Sequence, residues 1–449
     1  MKPLHNIQKL LTRFTFLGIA GSMAFTANAQ THSLPQLLDL ALENSIEIRK
    51  SILDQKEAAH LVAETKGTGL PQVNASGRFE HYPNIATQIL PGEIIGQPGT
   101  SVPVQFGTAY NASGGIDASQ LLFDQRFFTG LKAAKSSEEL YLLMSIKTTE
   151  DVIYNVSALY FQNLELLSQI EVLDSNIAEL AKLEEITKAR YENQLATKLE
   201  YNRVRVNKSN LESQVKGLHS SSSQLHNQLK LVVGVPSSQV ISLNTATDLE
   251  VDLSALQFEK IESSTTKVLE KQKELNLLEN KSIKAGYYPT LSAFGNYSLQ
   301  AQRNEFDFFD SDQEWFKTSV LGLQMQVPIF DGLQKRHQVQ QSKLRIQKLE
   351  LDEEMNQLAE SINFENAKKQ LSTSLTLVNN QEENQALAKE VYEQTRELYQ
   401  EDVASLTELL DAESAYRNAK SNYIREVLRF KIAELDLLKA QGQLQEIKK

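Results

Sequence analysis

The sequence predicts a mainly α-helical protein that also carries transmembrane β-strands, with its helices arranged as long coiled-coil hairpins. Three observations carry that reading. Two stretches, 104–235 and 329–449, contain no proline and are rich in Leu, Glu, Gln, Lys and Ala, which points to unusually long helices. Short segments outside the helical runs alternate apolar residues with small or polar ones, the signature of barrel strands. The chain also repeats itself, so that each kind of element occurs twice.

The 449 residues are more than one small domain needs. Charged residues make up 23% and hydrophobic ones 41%, which excludes a disordered tail and a polytopic helical membrane protein. Forty-six basic residues against 57 acidic ones give a formal charge of −11, so no nucleic-acid partner is expected. The chain has no cysteine, which excludes a disulfide framework, a thiolate metal site, a cysteine nucleophile and a lipid-modified N-terminal Cys.

Residues 1–29 read as a secretory signal peptide. Lys2, Lys9 and Arg13 precede a mostly apolar run from Phe14 to Phe25, and Ala27-Asn28-Ala29 supplies the small-x-small cleavage pattern. Gln30 is then the expected mature N-terminus, and the mature charge is −14. The apolar run is too short to serve as a membrane anchor.

Matching the halves defines the domains. Gly69-Leu70-Pro71-Gln72-Val73 answers Tyr287-Tyr288-Pro289-Thr290-Leu291; Leu122-Phe123-Asp124 answers Ile329-Phe330-Asp331. Arg190-Tyr191 through Ala196-Thr197 answers Leu398-Tyr399 through Ala404-Ser405. A first repeat over 30–230 is expected to hold a helix, strands at about 71–83 and 106–122, and a helical hairpin over 125–230. A linker spans 231–262. The second repeat, 263–440, holds a helix, strands at about 289–300 and 319–330, and a hairpin over 332–440. The first half carries a surplus of residues in its Gly- and Pro-rich segment 83–103.

In the second repeat Leu291, Ala293, Gly295, Tyr297 and Leu299 take one strand face and Ser292, Asn296, Ser298 and Gln300 the other. Leu321, Leu323, Met325, Val327 and Ile329 alternate likewise with Gly322, Gln324 and Gln326. A soluble hairpin with one wet face shows the same period, so alternation alone leaves that reading open. Ile153, Val156, Tyr160, Leu164, Leu167, Ile170, Leu173, Ile177, Leu180, Leu183 and Ile186 form a coiled-coil-like seam on the first long helix. Leu344, Leu351, Met355, Leu358, Ile362, Leu371, Leu375 and Val378 form a weaker one on the second.

No phosphate-cradling loop, nucleophile elbow or HExxH motif occurs, and neither enzymatic activity nor a cofactor is expected. His219 and His226 are spaced to share a helix face, but no third ligand accompanies them, so no metal site is assigned. Trp315 with Phe306, Phe308, Phe309 and Phe316 fits either a membrane-interface girdle or a loop-packing cluster.

Three motifs in this order resemble the TolC-like outer-membrane efflux proteins: Tyr288-Pro289-Thr290-Leu291 at a strand start, Val327-Pro328-Ile329-Phe330-Asp331-Gly332 at a strand end, and Val403-Ala404-Ser405-Leu406-Thr407-Glu408-Leu409-Leu410-Asp411-Ala412-Glu413 at a helical turn. The resemblance covers about 34–440. It implies a homotrimer in the cell outer membrane that extends into the periplasm, with four strands per chain completing a twelve-stranded barrel above a helical tunnel. It implies an exit duct in a tripartite efflux or type I secretion system, partnered by a periplasmic adaptor protein and an inner-membrane transporter and bounded by outer-membrane lipid. The resemblance also places adaptor contacts at the turn tips, Gln194, Leu195, Ala196 and Thr197 in the first and Asp402, Val403, Ala404 and Ser405 in the second. It makes Glu408, Asp411, Glu200 and Tyr399 the periplasmic gate, with a Tyr399–Glu200 contact and an acidic ring from Glu408 and Asp411. Gln194 and Asp402 stand where relatives commonly have Gly. The alternative function is a periplasmic coiled-coil scaffold without a pore.

Overall fold

The computed structural model describes residues 31–96, 98–244 and 263–444; the expected signal peptide and most of the 231–262 linker lie outside them. The elements follow one another as β1 (Thr31–His32), α1 (Leu34–Asn44), α2 (Ile46–Gly67), β2 (Gln72–His81), β3 (Thr87–Pro91), β4 (Ser101–Gln105), β5 (Tyr110–Phe123), α3 (Gln125–Glu192) and α4 (Lys198–Val233). After these come β6 (Ser242–Leu243), α5 (Ser264–Ala285), β7 (Thr290–Arg303), β8 (Phe316–Gln326), α6 (Gln334–Gln400) and α7 (Leu406–Gln441). Among the described residues no helix is long and apolar enough to cross a membrane.

The repeat-related Phe-Asp pairs start the long helices. Asp124 Oδ1 accepts from Arg126 N at 2.7 Å, and Asp331 Oδ2 accepts from Lys335 N at 3.1 Å, so each aspartate satisfies a helix-start donor that lacks an intrahelical partner. From there α3 runs for 68 residues, about 100 Å at 1.5 Å rise per residue. The expected seam on α3 is largely buried: Val156 and Tyr160 are fully covered, and Leu164 joins them in a core with Leu37 and Leu38 of α1 and Leu229 and Val233 of α4. Gly234 closes α4 at φ 82°, and a Cβ there would sit 2.3 Å from the Asn44 carbonyl oxygen, so this junction with the α1–α2 turn requires glycine.

The second long helix divides its seam between two environments. Leu371 and Val378 are buried against Val427 and Phe430 of α7. Leu344, Leu351, Met355, Leu358 and Ile362 are each more than half exposed on the protomer. The contacts α6 makes with α5 in this half are polar instead: Lys273 Nζ–Glu353 Oε2 at 2.7 Å, Arg345 Nη2–Glu279 Oε1 at 2.6 Å, and Asn356 Nδ2 donating to Thr266 Oγ1 at 3.0 Å.

Four strands form one antiparallel sheet in the order β2-β5-β7-β8, leaving β2 and β8 as edges. Its register sets Val73 beside Ala118, Ile116 beside Tyr297, Ala293 beside Leu323, and Leu291 beside Met325. Paired residues share a face, so one face is built from Val73, Ala75, Phe79, Ile116, Ala118, Tyr297, Leu321, Leu323 and Met325. The opposite face carries Asn74, Ser76, Arg78, Asp117, Asn296, Ser298 and Gln324, with Asn296 Nδ2 donating to Asp117 Oδ1 at 2.7 Å. Leu321 is 90% exposed and Leu323 69%, so the apolar face has no cover within the protomer.

One expectation needs correction: β8 spans 316–326 rather than about 319–330, because Pro328 has no N–H to donate to a ladder. The first-half surplus forms an added hairpin, β3 paired antiparallel with β4. At this same end of the sheet, away from the helices, Phe79 and Tyr110 pack edge-on against Phe306 at 5.7 and 6.0 Å, and Phe308 joins Trp315 at 6.1 Å. Phe79 and Tyr110 belong to the apolar face, so the aromatic cluster packs at the end of that face, as the loop-packing expectation has it.

Lysine placed at Leu323 should cost roughly 2–4 kcal/mol in a lipid-embedded sheet, whereas lysine at Gln324 should be tolerated. Denaturant titration of the two variants in bilayers checks this; equal costs on both faces would contradict the register.

Candidate functional site

The two long hairpins turn at repeat-related positions, and the turns use the same local chemistry. Each long helix ends in a residue with left-handed backbone, Gln194 at φ 61° and Asp402 at φ 60°. This is the conformation that favours glycine. Leu195 N donates to the Arg190 carbonyl at 2.7 Å, and Val403 N donates to the Leu398 carbonyl at 2.8 Å, closing both turns alike.

The return helices begin with reciprocal caps. Thr197 Oγ1 accepts from Glu200 N at 3.3 Å while Glu200 Oε2 accepts from Thr197 N at 2.7 Å. Ser405 and Glu408 repeat this at 3.3 and 2.7 Å. Glu200 and Glu408 therefore hold capping boxes, a role the Thr-x-x-Glu and Ser-x-x-Glu spacings already encode. The bonds from Ser405 hold the Glu408 carboxyl below the usual glutamate range. The cap within the chain is the cause.

Among the described residues Glu200 bonds to Thr197 rather than to Tyr399, and a tie between the hairpins at the turns is Arg190 Nη2 to Asp402 Oδ1 at 2.6 Å, with Arg203 of α4 donating to Thr407 Oγ1 of α7 beside it. The Asp402 carboxylate raises the Arg190 guanidinium above its already high value. Tyr399 lies half-buried against both hairpins, and burial pushes its hydroxyl above the ordinary tyrosine range. Its repeat partner Tyr191 instead stacks on Tyr201 at 6.2 Å, with Arg205 over the Tyr201 ring at 5.5 Å. Arg190, Glu200, Tyr399, Asp402 and Ser405 line a small cavity of about 110 Å³ between the turns.

Leu195 and Val403 are 72% and 71% exposed at the extreme tips, while Ala196 and Ala404 are half-buried. Asp411 is exposed one turn beyond Glu408. Sequence reasoning missed Arg190 as a site residue. A signal existed: its repeat counterpart is the apolar Leu398, and the counterpart of Asp402 is the neutral Gln194, so the repeat gained one charge of each sign near the turns.

Residues 279–443 match the family model described as outer membrane efflux protein. Comparison with curated proteins finds no match. Over nearly the whole chain the fold is similar to that of VceC from Vibrio cholerae, with a TM-score of 0.70 at 15% identity, covering 91% of this chain and 96% of that one. It is similar also to the CmeC outer membrane channel of Campylobacter jejuni (0.71, 16%, 96% and 94%) and to the open-state MtrE outer membrane channel of Neisseria gonorrhoeae (0.68, 17%, 92% and 89%).

Gln194→Gly should stabilise the chain by about 0.5–1 kcal/mol by relieving the left-handed backbone, and Gln194→Val should destabilise it. Chemical denaturation of the two variants checks the sign; a destabilising glycine would contradict the turn geometry.

Proposed function

We propose that this chain, a TolC-like outer-membrane efflux protein by its family match and its fold, forms one third of an exit duct in the outer membrane. The duct passes substrates from an inner-membrane pump, in a tripartite efflux or type I secretion system. The observation that carries this reading is the four-stranded sheet, with an uncovered apolar face, a polar opposite face, and two unpaired edges. In lipid such edges are untenable, and closure with further copies removes them. Three copies supply twelve strands, with the polar face turned to a water-filled lumen and the apolar face to outer-membrane lipid.

The helices continue the duct into the periplasm. The exposed seam Leu344, Leu351, Met355, Leu358 and Ile362 supports lateral packing of α6 against a neighbouring copy, since the α5 face of that helix is already satisfied by ion pairs. At the far end the turns act as the closing end. Within each copy Arg190–Asp402 ties the second hairpin to the first, and Tyr399 wedges between them. Exposed Asp411, with Glu408, faces the axis as an acidic ring that attracts cations. The apolar tips Leu195 and Val403, with Gln194, Ala196, Thr197, Asp402, Ala404 and Ser405 around them, are the surface for a periplasmic adaptor. Each polar tie is worth only about 0.5–1.5 kcal/mol, so adaptor binding can reverse a closed state built from a few of them. A scaffold without a pore leaves the apolar sheet face and both strand edges unexplained.

Reconstituted into planar bilayers, the protein should conduct and be blocked by divalent cations. Glu408→Gln together with Asp411→Asn should abolish the block, because Gln keeps the cap and removes the charge. Light scattering in detergent should give a trimer for both proteins. A non-conducting monomer would overturn the reading.

A further inference from the structure

Between the hairpins, above the tips, lies a second cavity of about 280 Å³ lined by α3, α6 and α7. Glu413 of α7 reaches its wall from a position only 6% exposed, and its Oε1 has no hydrogen-bond partner among the described residues. A buried carboxylate oxygen without a donor is costly when charged. Around it, several of the charged and titratable groups are engaged with other partners. From α3, Glu179 accepts the Tyr392 hydroxyl at 3.1 Å, and Lys182 lines the same cavity. From α6, Arg396 lies over the Tyr392 ring at 5.7 Å, and Tyr399 closes the lower end. From α7 itself, Arg417 donates to Ser414 Oγ at 3.0 Å. Tyr392, Leu409 and Ala412 pack around the site, with Tyr392 stacked on Tyr416 at 5.7 Å.

We propose that Glu413 is a proton-operated brace: neutral, it lets α7 seat against α3 and α6, and ionised, it drives that seam apart. This deepens the reading of the turns as the closing end of a duct and rests on it for its consequence, though the brace itself is a property of the seam. Burial pushes the Glu413 carboxyl from 4.5 up to about 7, the Arg417 guanidinium pulls it down, and the Glu179 carboxylate pushes it further up. The packed seam therefore binds the proton more tightly than an open one. Its stabilisation is full below about pH 4.5, declines as pH rises through about 7, and is absent above. A closed end that loosens toward neutral pH follows.

The test is amide hydrogen exchange over residues 406–416 of the purified full chain, comparing variants at each pH so that intrinsic exchange cancels. Glu413→Gln should match wild type at pH 5 and be roughly ten- to hundredfold better protected at pH 8. Arg417→Ala, which keeps Glu413, should shift the wild-type loss of protection to higher pH. Identical pH dependence in wild type and Glu413→Gln overturns the proposal, and so does an unshifted profile in Arg417→Ala. Bilayer conductance on the same samples separates the two claims: pH-dependent protection without any conductance overturns the duct and leaves the brace standing.

Discussion

A four-stranded sheet with two bare edges and one uncovered apolar face is the constraint on which the rest of this molecule depends. Each unpaired backbone N–H or C=O on β2 and β8 costs several kcal/mol if it faces hydrocarbon. Among the described residues β2 pairs only with β5, and β8 only with β7. Both long helices start close to strand ends: Asp124 follows β5 without a linker, and Asp331 follows β8 by a few residues, so under the proposed closure the helices are carried along with the sheet.

The helical part is compatible with the proposed ring. Its buried core is concentrated where α1, α3, α4 and α7 meet, and smaller clusters run down each hairpin toward the turns. The upper half of α6 shows an apolar stripe outward and satisfies its other side by ion pairs to α5. Exposed pairs of this kind add little stability each; they set which face remains for a neighbour. The turns are the least buried part and are held by caps and one cross-hairpin ion pair. That balance leaves the turns less firmly held than the sheet and core.

Much of this was legible in the sequence because it rests on period and position. Alternation over β7 and β8 separated the apolar face from the polar face, since a strand's side chains can point only two ways. The Pro-free runs located α3 and α6 nearly to the residue, because the Phe-Asp caps and the turn residues bound them. Less legible was anything that depends on partners distant in sequence. Arg190–Asp402 spans 212 residues, and Glu413 looks like any acid on a Glu-rich helix until three helices bury it. Glu200 and Glu408 work locally as caps, which the Thr/Ser-x-x-Glu spacing encodes and the ring reading obscured. The β3–β4 hairpin was hidden by Pro91 and Pro103, which end or edge a strand as often as they break one.

The central claim is that β2 of one copy completes its ladder on β8 of the next. The chain contains no cysteine, so introduced pairs report without background. Cysteines substituted in series along β2 (Asn74, Ser76, Arg78) and along β8 (Thr318, Val320, Gly322), combined pairwise in one chain and oxidised in membranes, measure that pairing directly. The account predicts that some registers give covalent dimers and trimers and that others, offset by a residue or two, give none. Only monomer at every register would contradict it.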